Sequence, residues 1–180
     1  MENVVFITGN QSKADYLANY LGHPVDHIKV DLDEIQSLDL QEVVRHKLLQ
    51  AYKEVQRPVL VEDVSLEFLA LGRLPGTFVR WFIDELSLAG LCDLLKGKER
   101  SAKACCIFGY YNGQQEVYFE GGSSGRISEK PCGTGGYGWD QIYIPDGYAL
   151  TRAQLDEADY RATYVAIKPF DKIKEFLRNI

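Results

Sequence analysis

Two adjacent carboxylates, Glu62 and Asp63, follow the apolar run Val59-Leu60-Val61 without a break. Such a run after Pro58 reads as a short buried strand. In α/β proteins the carboxyl ends of central strands are where ligands bind, so acids placed there are poised for metal or base work. Neighbouring strand residues point to opposite faces, so the two acids are expected to do different jobs. The bland alternative is a strand that ends at the surface in two solvated acids. A second stretch with chemical potential is Thr8-Gly9-Asn10-Gln11-Ser12-Lys13. Free N–H groups at a helix start favour anions, and Gly9 lets the backbone approach one closely. Lys13 would lie one turn into the helix, where the dipole disfavours a cation unless an anion is bound. The competing reading is an Asn or Ser cap beside an ordinary exposed lysine. The third stretch is acidic, Asp31-Leu32-Asp33-Glu34. Mg²⁺ keeps waters and takes one or two protein carboxylates, which makes Glu34 a candidate ligand and a solvated acidic turn the alternative.

The elements that must position these residues are legible in outline. Val4 to Ile7 is a short buried strand leading into Thr8, and Leu17, Tyr20 and Leu21 share one face of the helix that Gly22 stops. His23-Pro24 breaks the chain, and Val25 to Leu32 alternates like a strand. Leu40 to Val55 is the clearest helix, with Val43, Val44, Leu48 and Ala51 on its apolar stripe and Arg45, His46 and Lys47 largely off it. Leu66 to Leu71 is ambiguous, Leu74-Pro75-Gly76 is a turn, and Thr77 is a candidate cap for a helix through Ile83. Another helix is predicted over Leu88 to Leu95. Ala102 to Tyr111 and Glu116 to Glu120 form a hairpin around Asn112-Gly113. A further strand runs from Gly125 to Ser128, and another over Ile142 to Ile144 follows the glycine-rich Gly133 to Asp140. Pro169 must begin a new helix or kink an existing one.

At 180 residues, 46% apolar and 26% charged, the chain fits one soluble α/β domain spanning 1–180. A net charge of −6 argues against a broad nucleic-acid surface but permits a small basic pocket for phosphates. The apolar runs are too short to span a bilayer, and no secretory signal is visible before Val4. Cys92, Cys105, Cys106 and Cys132 contain no CxxC pair, so a reduced, cytoplasmic protein is expected. Gly133, Gly135 and Gly138 match GxGxxG but precede a β-rich segment, which points to a loop over a pocket rather than a dinucleotide fingerprint. Gly121, Ser123 and Gly125 have nucleophile-elbow spacing without a following helix, and the histidines do not cluster as a zinc site requires.

Taken in order, Thr8-Gly9-Asn10-x-x-Lys13, Val61-Glu62-Asp63, Leu74-Pro75-Gly76-Thr77 with Trp81-Phe82, Gly136-Tyr137-Gly138-Trp139-Asp140 and Pro145-Asp146-Gly147-Tyr148 with Thr151 resemble the inosine triphosphate pyrophosphatase family. The resemblance runs from about Val4 to about Leu155. It implies an elongated mixed sheet with helices, and two lobes around a central nucleotide cleft. It also implies a Mg²⁺-dependent homodimer that converts non-canonical purine nucleoside triphosphates to the monophosphate and pyrophosphate, as nucleotide-pool sanitation. Carried over by position, Thr8, Gly9, Asn10 and Lys13 match the phosphate motif. Glu34 falls on a metal-binding carboxylate, and Lys47, across a one-residue gap, on a helical phosphate-contacting lysine. Asp63 matches the acid regarded as general base and metal ligand. Tyr137, Gly138, Trp139 and Asp140 match the loop where an aromatic ring stacks on the base. That chemistry is coherent, because attack of water at the α-phosphorus needs a base, a metal and cations on the leaving group.

The departure lies at the C-terminus. Tyr160 stands where the family has a lysine, and Tyr164-Val165-Ala166 where it has Ser-His-Arg. Arg161 is the candidate to take over base recognition, with Arg152 as a second. Loss of donors that read the base removes a strong source of discrimination. Two rivals therefore stand beside the purine reading: the same hydrolysis of a pyrimidine or other modified nucleotide, and a nucleotide-binding protein that has lost turnover.

Overall fold

The computed structural model describes residues 4–22 and 25–180, so the break expected at His23-Pro24 lies outside the described residues. Among the described residues seven strands form one mixed sheet in the order β2-β1-β3-β5-β6-β7, with β4 pairing β3 off that path. They are β1 (Val5–Ile7), β2 (Asp26–Ile28), β3 (Val59–Phe68), β4 (Pro75–Gly76), β5 (Ser101–Tyr111), β6 (Glu116–Ile127) and β7 (Tyr143–Pro145). Among the same residues the helices are α1 (Gln11–Leu21), α2 (Leu40–Val55), α3 (Val79–Asp93), α4 (Glu157–Ile167) and α5 (Phe170–Arg178). No described helix is long and apolar enough to cross a membrane.

The chain resolves into two compact units. The first holds Met1–Asp63, Cys106–Glu120 and Pro169–Ile180; the second holds Val64–Cys105 and Gly121–Lys168. In the first unit β1 pairs in parallel with both β2 and β3, Val5 facing Asp26 on one side and Val59 on the other. Parallel neighbours need a crossover, and their strands read as continuous apolar runs because both faces are covered. Phe6 stacks on Phe108 of β5, and Phe108 meets Phe170 edge-on. Helix α5 buries Phe170, Ile173 and Leu177, one stripe at helical spacing. Pro169 stands at its N-cap position, so the proline begins a helix rather than kinking one.

In the second unit β7 pairs antiparallel with the end of β6, and β4 with the end of β3. Arg100 is the polar clamp here. It donates to the carbonyls of Ile127 at 2.7 Å, Leu95 at 3.2 Å and Cys92 at 3.1 Å, and also to that of Ser128.

Several boundaries differ from the sequence expectation. The strand expected over Val25 to Leu32 is only three residues long and exposed, since its alternation is not backed by burial. The ambiguous Leu66–Phe68 continues β3 before a 3-10 turn at Leu69–Leu71. Helix α3 is capped at Phe78 rather than Thr77, while the break expected between two helices falls at Ser87, whose backbone is non-helical (φ 63°, ψ 170°). The separate strand expected over Gly125 to Ser128 is the far end of β6.

Candidate active site

The adjacent acids of β3 part as strand geometry demands. Glu62 is sealed, its side chain 2% exposed, and takes Lys13 of α1 at 3.5 Å and the Cys106 Sγ at 3.7 Å. Asp63 faces the other way and accepts from Lys47 of α2 at 2.7 Å. The same Lys47 Nζ donates to Glu34 at 2.6 Å, so one ammonium joins the two carboxylates that the sequence singles out. Lys47 is only 13% exposed. Burial pushes its pKa down, but the Asp63 and Glu34 carboxylates overcome that and leave it above the ordinary lysine value. Helix α2 can deliver Lys47 there because its apolar stripe faces the core, while Asp39 caps its start by accepting from the Gln41 and Glu42 backbone N–H groups.

Thr8, Gly9 and Asn10 form the turn between β1 and α1. Asn10 caps α1 with its side chain, accepting from the Lys13 backbone N–H at 3.3 Å, and its own N–H donates to Thr8 Oγ1 at 3.1 Å. Asn10 is therefore a cap as one reading expects, while Lys13 is not an ordinary exposed lysine but pairs with the buried Glu62. Thr8, Gly9, Asn10, Lys13, Glu34, Lys47 and Asp63 all belong to the first unit.

A hard divalent cation suits this donor set. Glu34 and Asp63 converge on one cationic nitrogen, and these two carboxylates are the residues that would hold such a cation. Among the described residues no three His, Cys, Asp or Glu side chains gather as a protein-only metal cage.

The second unit carries the aromatic loop. Gly136 and Gly138 both have positive φ, at 68° and 62°, and between them Tyr137 is 54% exposed. Asp140 is the buried anchor: it accepts from the Tyr137 backbone N–H at 2.9 Å and the Tyr160 hydroxyl at 2.9 Å, and pairs with Arg152 at 3.2 Å. A Cβ on Gly136 would collide with the Asp140 carboxylate, so this loop path requires glycine. The Trp139 indole N–H is buried without a hydrogen-bond partner. The loop is stitched to the turn around Arg152 by Thr151 Oγ1 to the Cys132 carbonyl (2.8 Å), Gly135 N to Ala153 O (3.1 Å) and Ala153 N to Asp140 O (3.0 Å).

Arg161 lies exposed on α4, whereas Arg152 is buried beside Asp140. Tyr160 and Tyr164, at the positions of the departure, pack their rings against the Arg152 guanidinium at 5.0 and 5.6 Å. Sequence reasoning ranked Arg152 second. A usable signal was present: Thr151-x-x-Gln154 has the spacing of a capping box, and Thr151 N does donate to Gln154 Oε1 at 3.2 Å, fixing the turn that carries Arg152.

The sequence model of the Ham1 family matches residues 4–176. A Trypanosoma cruzi protein named inosine triphosphate pyrophosphatase 2 is 44% identical over 161 residues, covering 87% of this chain and 82% of that protein. An inosine triphosphate pyrophosphatase of Scheffersomyces stipitis is 35% identical, covering 98% of each. Among solved structures, a HAM1 protein from Coxiella burnetii superposes with a TM-score of 0.87 at 22% identity over 100% of both chains, which shows a shared fold.

Proposed function

Since the chain belongs to the Ham1 family, we propose that it hydrolyses non-canonical purine nucleoside triphosphates such as ITP, dITP and XTP to the monophosphate and pyrophosphate. The names of its relatives support the reaction, and the observation that carries it to particular residues is Lys47 joining Glu34 and Asp63. Water attacks the α-phosphorus, the bond from that phosphorus to the α–β bridging oxygen breaks, and pyrophosphate leaves. Asp63 takes the proton of the attacking water. Lys13 and Lys47 hold the departing phosphates, and the Thr8-Gly9-Asn10 turn offers backbone donors to them. Mg²⁺ held by Glu34 and Asp63 would neutralise charge on the phosphate oxygens. Tyr137 or Trp139 supplies a flat face for the base, a contribution of about 1–3 kcal/mol by analogy with stacking on nucleic-acid bases. The same reading has the protein working as a homodimer in the cytoplasm, and sedimentation at micromolar concentration tests the dimer.

The decisive assay measures pyrophosphate against phosphate release, with Mg²⁺ at neutral pH, from ITP, XTP, dITP, the standard nucleotides and modified pyrimidine triphosphates. Pyrophosphate released preferentially from ITP or XTP is the expected result. Preference for another base would keep the chemistry and replace the substrate. Tight binding without release from any member would leave a nucleotide-binding protein and end the hydrolase reading.

A further inference from the structure

The buried guanidinium of Arg152 has more donors than the protein uses. Its side chain is 5% exposed, and Nη1 is taken by Asp140 at 3.2 Å. Nε and Nη2 are buried with no hydrogen-bond partner, as is the indole Nε1 of Trp139 in the loop stitched to the same turn. A buried donor left unsatisfied is costly, and native structures rarely tolerate one without a reason. Here two occur on one guanidinium, and both are donors. The acceptor in their midst is already committed, since Asp140 receives Tyr137 N, Tyr160 OH and Arg152 Nη1. The rings of Tyr160 and Tyr164 hold the guanidinium without consuming its N–H groups.

We propose that Arg152 is the specificity-determining residue of this chain: its buried Nε–H and Nη2–H donate to exocyclic oxygens of the base. This rests on the nucleotide reading above, and it places the recognition charge on the turn before α4 instead of within α4. The donors are shielded from water, so an acceptor presented by a bound base meets them without competition from solvent. A donor-only set favours bases that present oxygen. It accepts hypoxanthine and xanthine, has no acceptor to offer the 2-amino group of guanine, and meets the 6-amino group of adenine with a like donor. A site built to hydrogen-bond a group rejects analogues that lack it.

The test is made on the full chain by two readouts: calorimetric binding of inosine, xanthosine and adenosine monophosphates, and pyrophosphate release from the corresponding triphosphates. Arg152→Lys keeps a cation for Asp140 but has a single nitrogen in place of the guanidinium fork; Arg152→Met removes the charge and is included if its thermal unfolding remains cooperative. The expected result is a wild-type preference for the two oxo-purines over adenine that falls about tenfold or more in Arg152→Lys, with release from ATP changing far less than release from ITP. A merely structural role would weaken all bases alike and leave the ratio standing, which overturns the proposal, as does a wild type that binds all three monophosphates equally. If wild type releases no pyrophosphate yet binds inosine over adenosine monophosphate, and Arg152→Lys loses that preference, the hydrolase reading fails and this inference stands. Binding of no nucleotide overturns both.

Discussion

In the proposed mechanism Lys47 links the key groups, because its one nitrogen engages both carboxylates proposed for metal and base work. Asp63 is the group expected to move a proton. Asp63→Asn keeps the shape and an acceptor oxygen but loses basicity, so kcat for pyrophosphate release should fall by about 10²–10⁴-fold. Calorimetric affinity for the nucleotide should change much less. A variant that turned over normally would remove Asp63 from the mechanism. Glu62 is placed differently: its side chain is buried and pairs with Lys13. Both assignments follow from one fact of strand geometry, that consecutive side chains leave opposite faces.

At the scale of elements, two short segments hold the proposed contacts, and each depends on a backbone feature. Helix α1 begins at Asn10, whose side chain takes the Lys13 N–H. Asn10→Ala should cost about 0.5–2 kcal/mol of stability, seen as a lowered denaturation midpoint, and should raise KM for the triphosphate by disordering the turn. The aromatic loop depends on Gly136, where φ is 68° and a Cβ would strike Asp140. Gly136→Ala should cost at least about 1–2 kcal/mol from the left-handed backbone alone. Selectivity among bases should fall with it, because Asp140 ties Tyr137 to Arg152; comparing kcat/KM for ITP and ATP checks this.

For the whole molecule, pH and metal are the levers. The Lys47 pKa is raised on folding, so the stability it contributes is fully present below the unfolded lysine value of about 10.4 and is lost only as pH rises through the higher folded value. Thermal unfolding of wild type and Lys47→Met, compared without metal, should therefore differ by a constant amount through the neutral range and converge only in strong alkali. Chelation of divalent cations should reduce pyrophosphate release to background, and added Mg²⁺ should restore it. A metal-independent rate would remove Glu34 and Asp63 from the role of ligands. The net charge of −6 leaves room for such a site without a broad surface that would attract nucleic acid.

What the sequence determined by itself is what local chemistry determines. The buried β1 run, the amphipathic α2 and the Asn112-Gly113 hairpin each announce themselves through patterning or backbone constraint within a few residues. The ordered motifs from Thr8 to Thr151 carried the family, which the match over residues 4–176 shows. Partnership across the chain was decided only by the tertiary structure. Nothing local to Lys47 says that it joins Glu34, thirteen residues earlier, to Asp63, sixteen residues later. Nor does anything local to Arg152 say that it, and not Arg161, is buried against Asp140 and two tyrosines. Two arginines nine positions apart look alike in sequence; the turn set by Thr151 and Gln154 drives one inward, and α4 presents the other to solvent.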